Sequence, residues 1–442
     1  MSERSTETGK RPQIAVVIPA WNERENLELL LPALRETLQD LGVSFEIIVA
    51  DGGSTDGTRE AAERRGARVV VQQQRGYGGA LLAGFAATEA DYVVTMDADL
   101  SHRPLFIQDF WAQRGAAEML IASRYVPGGA AEMGWFRKLL SHILNRVYGR
   151  VLALPFGDLS SGFRMYRRRV LAGMELHARD FDVVEEILIR VYNEGWRIRE
   201  VPFRYMPRGS GGSHARLIKF GVAYARTLFR MWRLRNSVAA ADYDYRAFDS
   251  PIWLQRYWQR TRHKIILGFL DQRDSILDIG CGSSRIILDL PQAVGLDILQ
   301  RKLRWVAAHD RMAVRATCER LPFPDNSFGA IISSEVIEHL PDLPAIYDEM
   351  DRVLRPGGIL ILGTPDYGRW LWWVLEWIYG KILPDAYAEE HITHFTRRQL
   401  AERLQAAGYE ILDCRYVGYC EMIFKARKPA AAAESKRAGA AA

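Results

Sequence analysis

A chain of 442 residues exceeds what one ordinary hydrophobic core holds, so two or three domains are expected. With 48% hydrophobic and 11% aromatic residues it buries sizeable cores, which excludes disorder except at the ends. A net charge of +5 suits a phosphate-bearing substrate or an anionic membrane surface and is too weak to argue for a nucleic-acid partner.

In chain order, residues 1–12 read as a flexible lead without an apolar signal core, and regular structure is predicted from Ile14. Apolar strand-like runs alternate with helical patterns, first at Ile14–Ile18, Glu46–Ala50, Ala67–Val71 and Tyr92–Met96. A second series follows at Ser275–Ile279, Val294–Asp297, Gly329–Ser333 and Gly358–Gly363. Two such series predict two α/β domains with parallel sheets, residues 13–235 and 263–427, joined by a linker at 236–262 and ending in a disordered tail at 428–442. No uncharged apolar run approaches the ~18 residues of a membrane span. Cys281, Cys318, Cys414 and Cys420 form no CxxC pair and read as reduced thiols, so a cytoplasmic protein, soluble or peripheral, is expected.

Ligands of open α/β sheets bind beyond the carboxyl ends of the strands. In the first series Asp51 ends one strand and Asp97-Ala98-Asp99 ends another. An i, i+2 aspartate pair at a strand end suits Mg²⁺ or Mn²⁺ with room left for phosphate oxygens, although a lone DxD is more often ordinary loop capping. The surrounding residues run in order: Val17-Ile-Pro-Ala-Trp-Asn-Glu23, Asp51-Gly-Gly-Ser-Thr-Asp-Gly-Thr58 and Thr95-Met-Asp-Ala-Asp-Leu-Ser-His102. This set resembles the inverting family 2 glycosyltransferases of GT-A, Rossmann-like fold. Ser123-Arg-Tyr-Val-Pro-Gly-Gly129, Ser160-Ser-Gly-Phe-Arg-Met-Tyr166, Glu200-Val-Pro-Phe203 and then Arg208, Gly211 and Ser213 sharpen the resemblance towards dolichol-phosphate (polyprenyl-phosphate) mannosyltransferases.

The resemblance implies that Pro19, Glu23 and Asp51 contact the nucleotide of a nucleotide-diphosphate sugar, and that Asp97 and Asp99 bind the metal and the sugar diphosphate. It implies that Arg124, Arg137 and Ser141 hold the acceptor phosphate and that Arg208 lies near the transferred sugar and phosphates. Arginine forks suit bidentate phosphate recognition, whereas each arginine taken singly is more often a solvated charge. The chain departs from the family pattern at Ser101, where a Gln commonly assists the metal, at Gly52, which replaces an Asp, and at His214, which replaces a Lys.

Leu217–Arg235 has helical period, with Leu217, Ile218, Phe220, Tyr224, Leu228, Phe229, Met231 and Trp232 on one broad face and Lys219, Arg226, Arg230 and Arg233 on the other. A helix lying in a membrane interface and a helix docked on its own domain both fit this pattern.

In the second series Leu277-Asp-Ile-Gly-Cys-Gly-Ser-Ser284 follows a strand, and Asp297 ends the next one, where an acid can bond both hydroxyls of a ribose. With Leu321–Phe328, Ser334-Glu-Val-Ile-Glu-His-Leu340 and Met350–Gly358, this ordered set resembles the class I, S-adenosylmethionine-dependent methyltransferases. The resemblance places Asp278, Gly280 and Gly282 around the methionine end of the cofactor, Asp297 on its ribose, Thr317 at the adenine, and Ser334 or Glu335 near the methionine or substrate. Trp370–Gly380 is rich in aromatics and reads as the wall of an acceptor pocket, or else as core or a domain interface. His391 and His394 are candidate acid–base groups for methylating a sugar hydroxyl, or else structural residues; too few ligands are recognisable near them for a metal site.

The combined expectation is a bifunctional transferase peripheral at the cytoplasmic face of a membrane. It would move mannose or glucose to polyprenyl phosphate and methylate the same sugar or glycan. Glycosyl transfer to a glycan or small-molecule hydroxyl, and a second domain that binds cofactor without catalysis, remain the alternatives.

Overall fold

The computed structural model describes residues 11–132, 134–206, 217–270, 275–382 and 391–430. Arg208, Gly211, Ser213 and His214 lie outside the described residues, and so does the side chain of Arg137. The chain falls into two compact units, Met1–Tyr192 with Trp196–Arg233, and Asn193–Gly195 with Leu234–Ala442.

The strands of the first unit are β1 (Ile14–Ala20), β2 (Phe45–Asp51), β3 (Arg68–Val71), β4 (Tyr92–Thr95), β5 (Met119–Ser123), β6 (Ala130–Ala131), β7 (Arg164–Arg167), β8 (Ile198–Pro202) and β9 (Arg204–Tyr205). Seven of them form one sheet in the order β3-β2-β1-β4-β7-β5-β8, with β7 antiparallel to both neighbours. The near-continuous apolar run of β1, buried from Ile14 to Ile18, is what a strand covered on both faces requires. The chain steps from β1 to β2 on one side and places β4 on the other, so the strand order reverses at β1 and a crevice opens beyond its carboxyl end.

The second unit has β10 (Ile276–Ile279), β11 (Ala293–Asp297), β12 (Met312–Arg315), β13 (Phe328–Ser334), β14 (Leu354–Pro365), β15 (Glu410–Val417) and β16 (Glu421–Arg427). They form a seven-stranded sheet in the order β12-β11-β10-β13-β14-β16-β15, parallel except for β16, which runs antiparallel to β14 and β15. The order reverses at β10, where the glycine loop begins. All eight strands expected from the sequence are present, and both domains have the expected α/β class.

The segment 236–262, expected to be a linker, instead contributes two helices to the second unit, Tyr243–Phe248 and the start of Trp253–Phe269. The reason is burial at the far end of the longer helix: Ile265, Ile266 and Phe269 enter the same core as Ile276 and Ile332. Leu217–Arg235 is helical as expected.

Candidate active sites

Register brings the first set of expected residues to one edge. Pro19 and Ala20 of β1 pair with Ala50 and Asp51 of β2, and Val17 pairs with Thr95 of β4, so the loops carrying Glu23, Asp51, Asp97 and Asp99 leave the sheet side by side. The first two loops are laced together. The amide of Asn22 donates to Ser54 Oγ at 2.9 Å, Asn22 Oδ1 accepts from the Thr55 amide at 2.9 Å, and the Glu23 amide donates to Thr58 Oγ1 at 2.9 Å. Asn22 takes a left-handed φ of 56° to make these contacts.

Asp51 is fully buried and accepts from Arg59 Nε at 2.6 Å and from the amides of Gly53 and Ser54 at 3.0 and 3.1 Å. Burial raises its pKa, but these hydrogen bonds outweigh that and hold the carboxyl below its ordinary range. At Gly52, where the family's second aspartate is missing, a Cβ would come within 3.3 Å of Trp21 Cβ, a tight contact.

Asp97 Oδ1 accepts from Tyr77 Oη at 2.9 Å, and its amide donates to His102 Nδ1 at 3.0 Å. His102 stacks on Phe163, with centroids 4.8 Å apart. A side chain at Gly162 would meet Tyr77 Oη at 3.0 Å and Asp97 Oδ1 at 3.7 Å, so the glycine of the Ser-Ser-Gly-Phe run leaves the space for this pair. Asp99 Oδ1 accepts from the amide and hydroxyl of Ser101 at 3.1 and 2.5 Å, with Leu100 between them at φ 64°. Ser101, standing in the place of the family's Gln, thus orients an aspartate.

Two of the expected acceptor residues, Arg124 and Ser141, also converge, in altered form. Arg124 donates from Nε and Nη2 to both oxygens of Asp158 at 2.7 Å, and from Nη2 to Ser160 Oγ at 2.8 Å. Ser141 Oγ lies 2.9 Å from Tyr125 Oη and 3.2 Å from Ser160 Oγ. The Arg124 fork, read from sequence as open for phosphate, is closed by a buried carboxylate. What it leaves is a hydroxyl cluster anchored by a neutralised ion pair.

The helix Trp135–Val151, which carries Arg137 and Ser141, exposes Trp135 (77%), Phe136, Leu139, Leu140, Ile143 (51%), Val147 and Val151 along its length, with Arg146 and Arg150 also exposed. Sequence reading missed this helix. In Leu217–Arg235, Thr227 and Met231 are buried while Val222, Phe229 and Trp232 stay exposed, so one strip docks on its own unit and another faces out. Among the described residues no helix is long and apolar enough to cross a membrane.

At the second edge Gly280 and Gly282 have φ of 66° and 53°, a region that glycine enters without strain. A Cβ on Gly280 would lie 2.2 Å from Val336 Cγ2, so the turn after β13 abuts this loop. Asp278 is buried, its Oδ2 has no hydrogen-bond partner among the described residues, and burial followed by repulsion from Asp297 pushes its carboxyl up to about 8. Asp297 accepts from the Gly282 amide at 3.0 Å and the Leu299 amide at 2.8 Å; burial, the largest influence, leaves its carboxyl above the ordinary range. Thr317 is exposed in the loop after β12, on the same edge. Ser334 ends β13, its Oγ unpartnered among the described residues, and Glu335 follows with φ 59°.

Sequence reading missed the supports. Asp244, from the supposed linker, accepts from the amide and hydroxyl of Ser283 and from Lys302 Nζ at 2.7 Å. Arg262 pairs with Glu421 at 2.6 Å and Glu335 at 3.3 Å.

His391 Nδ1 lies 2.6 Å from Tyr367 Oη and 3.0 Å from Glu376 Oε1. Burial, then the neighbouring His339 and His394, lower its pKa to about 4. His394 is exposed and stacks on Tyr367 at 4.0 Å, so the two histidines have different surroundings. The expectation that no metal ligands accompany them is corrected for His391: the fold brings Glu338 and His339 to it. The aromatic run is not core. Its helix, Trp370–Ile382, exposes Trp370 (71%), Trp373 and Trp377 (66%).

Comparison with known proteins agrees with this division. The model of the glycosyl transferase family 2 matches residues 15–174, and that of a methyltransferase domain matches residues 277–362. A dolichol-phosphate mannosyltransferase of Pyrococcus furiosus is 35% identical over 238 residues, 51% of this chain; the match spans 65% of that protein's own length. A polyprenol monophosphomannose synthase of Mycolicibacterium smegmatis is 34% identical over 245 residues, covering 50% of this chain and 90% of that one. Among solved structures, a glucosyl-3-phosphoglycerate synthase from Mycobacterium tuberculosis is 24% identical over 50% of this chain and 78% of that one, with a TM-score of 0.42. A SAM-dependent methyltransferase from Thermotoga maritima is 19% identical over 42% of this chain and 94% of that one, with a TM-score of 0.36. The chain belongs to glycosyl transferase family 2, and a methyltransferase domain follows its transferase domain.

Proposed function

We propose that the first domain transfers a hexose, mannose or glucose, from a nucleotide-diphosphate sugar to polyprenyl phosphate with inversion, and that the second methylates with S-adenosylmethionine. The observation that carries the first half is the convergence of Asp51, Asp97 and Asp99 on one sheet edge, in a chain 34–35% identical to two polyprenyl-phosphate mannose synthases by name. Asp97 and Asp99 fit a divalent cation: they are hard oxygen donors two residues apart, already oriented by Tyr77 and Ser101. Mg²⁺ or Mn²⁺ held there would neutralise the leaving diphosphate. Pro19, Glu23 and Asp51 line the nucleotide end.

Ser141, Ser160 and Tyr125 offer hydroxyls to the acceptor phosphate, with Arg124 fixing Ser160. Arg137 and Arg208 join that grip by resemblance. The phosphate is already an anion, so its oxygen attacks the anomeric carbon without a strong base, and catalysis reduces to positioning and charge. The exposed apolar face of Trp135–Val151, flanked by Arg146 and Arg150, suits a peripheral position at the cytoplasmic membrane surface where such an acceptor resides.

In the second domain Asp278 Oδ2, unpartnered among the described residues, fits the ammonium of the cofactor's methionine end, and Asp297 its ribose. Gly280 and Gly282 let the backbone approach, Thr317 lies at the adenine end, and Ser334 and Glu335 lie near the methionine or substrate. The covalent fusion favours methylation of the sugar or glycan that the first domain handles, since a tether raises one site's local concentration near the other's product.

The test supplies the purified chain with nucleotide sugars, polyprenyl phosphate and methyl-labelled adenosylmethionine. A lipid-phosphate sugar of inverted anomeric configuration is expected, carrying label in the glycolipid or a glycan extended from it. Transfer to hydroxyl acceptors with none to polyprenyl phosphate would overturn the first half. Absence of label from every glycan product would overturn the shared pathway.

A further inference from the structure

Beside the glycine loop of the second unit, three metal-ligating side chains meet that neither proposed reaction has used. A carboxylate oxygen of Glu338 and one ring nitrogen each of His339 and His391 all lie within 4.8 Å of one another. Glu338 is fully buried; its Oε2 accepts from Thr364 Oγ1 at 3.1 Å, and its Oε1 has no hydrogen-bond partner among the described residues. His391 is fixed from behind, Nδ1 lying 3.0 Å from the Glu376 carboxylate. With Nδ1, which also lies 2.6 Å from Tyr367 Oη, protonated towards these partners, Nε2 would be the coordinating nitrogen, the usual outer support of a metal-bound imidazole.

The charge balance points the same way. Three carboxylates, Glu335, Glu338 and Glu421, share this region, and Arg262 pairs with two of them, Glu421 at 2.6 Å and Glu335 at 3.3 Å. A divalent cation supplies the positive charge that this buried set lacks.

We propose that Glu338, His339 and His391 bind one divalent transition-metal ion, Zn²⁺ or Mn²⁺, in a site that is separate from the Asp97/Asp99 pair and serves the methyltransferase. Two imidazoles and one carboxylate are the donor set of catalytic zinc sites that keep a position open for a further oxygen. Val336, three residues before His339, packs on Gly280, so the turn that carries Glu338 and His339 adjoins the glycine loop. This role rests on the methyltransferase reading above. An acceptor hydroxyl bound to the ion gives up its proton to solvent more readily. Its oxygen forms the new O–C bond as the methyl C–S bond breaks, and the electron pair returns to sulfur, leaving a neutral thioether.

The test uses the full chain carrying Asp97→Asn and Asp99→Asn, which removes the other proposed cation site. After stripping with EDTA, Zn²⁺ or Mn²⁺ is titrated calorimetrically and the retained metal is counted by elemental analysis. About one equivalent is expected, falling at least tenfold in affinity with His391→Ala and with His339→Ala added singly. Because Glu338→Gln alters a buried residue, it is read only in protein whose melting is unchanged, and the two histidine variants decide the matter without it. Retention of no cation by the stripped parent, or equal retention by the histidine variants, overturns the site. Adenosylmethionine binding is measured on the same samples. Its absence from the parent overturns the methyltransferase reading, whereas its presence without cation retention overturns only the metal site.

Discussion

At the carboxyl edge of the first sheet, Asp51 accepts from Arg59 and two loop amides, Asp97 from Tyr77, and Asp99 from Ser101. At the equivalent edge of the second sheet, Asp278 Oδ2 and Glu335 Oε1 are buried with no hydrogen-bond partner among the described residues. The same placement rule thus yields two electrostatic states. At the first edge its own hydrogen-bond donors hold the Asp51 carboxyl below the ordinary carboxylate range. At the second, burial pushes Asp278 and Glu335 above that range, so a cationic ligand bound there would be coupled to proton release.

The largest effect that follows is on glycosyl transfer. Asp99→Ala removes one of two adjacent donors for the diphosphate's counter-ion, and transfer should fall by about 100-fold or more, the scale of losing a group that stabilises transition-state charge. Adenosylmethionine affinity should not change. Full transfer by this variant, or by wild type in EDTA, would show that the first edge is not used as a cation site.

These aspartates were legible in the sequence because their signal is local: an acid at the end of an apolar run, a second acid two residues on, glycines where the loop turns. What supports them was not. Asp158 reaches Arg124 across 34 positions, and Asp244 reaches Lys302 across 58. Glu338 meets His391 from more than fifty positions away, which is why the histidines seemed to lack metal ligands. The linker expectation failed for a related reason. The stretch 236–262 lacks strand–helix alternation, and its helix is stabilised by core contacts at its far end, at Ile265, Ile266 and Phe269. Arg124 shows the converse error. Its motif singled the residue out, but the side chain's partner, and so its remaining charge, is a property of the fold.

At the second edge, Asp278→Asn should weaken adenosylmethionine binding about 10- to 100-fold, the loss of one charge-assisted hydrogen bond of roughly 1.5–3 kcal/mol. The pH profile distinguishes this from a merely structural effect. The folded carboxyl titrates near 8, and a bound ammonium favours the ionised form. Wild-type affinity should therefore rise with pH up to about 8 and level off, with protons released on binding below that point. Calorimetry in buffers of different ionisation enthalpy measures the release. An equal pH slope in Asp278→Asn would assign it to another group.

Asp297→Ala should weaken the same ligand by somewhat more than tenfold, with most of the pH slope retained because Asp278 remains. Unchanged affinity would place the ribose elsewhere and remove the second sheet's best-matched ligand position.

The smallest effect is on the unliganded protein, and its sign separates the two edges. Asp51 has a folded pKa below its unfolded value, so its contribution to stability is present above the unfolded pKa and is lost as pH falls through the folded one. Asp278 has a folded pKa near 8 against about 3.9 unfolded, so stability is full below the lower value and declines as pH rises towards 8. The two neutral substitutions should therefore act oppositely near pH 7.5. Asp51→Asn leaves a single acceptor oxygen for the Arg59 guanidinium and two amides and should lower the melting temperature of the first unit by a few degrees, a loss of about 1–2 kcal/mol. Asp278→Asn relieves an ionisation penalty and should leave the second unit equally or slightly more stable, with the gain shrinking as pH falls towards about 4. Differential scanning calorimetry across pH 5–8 resolves the matter if the units melt separately, and hydrogen exchange at β2 and β10 resolves it if they do not. Destabilisation by both substitutions at pH 7.5 would mean that the second edge already satisfies its carboxylate, and the contrast between the two sheets would fail.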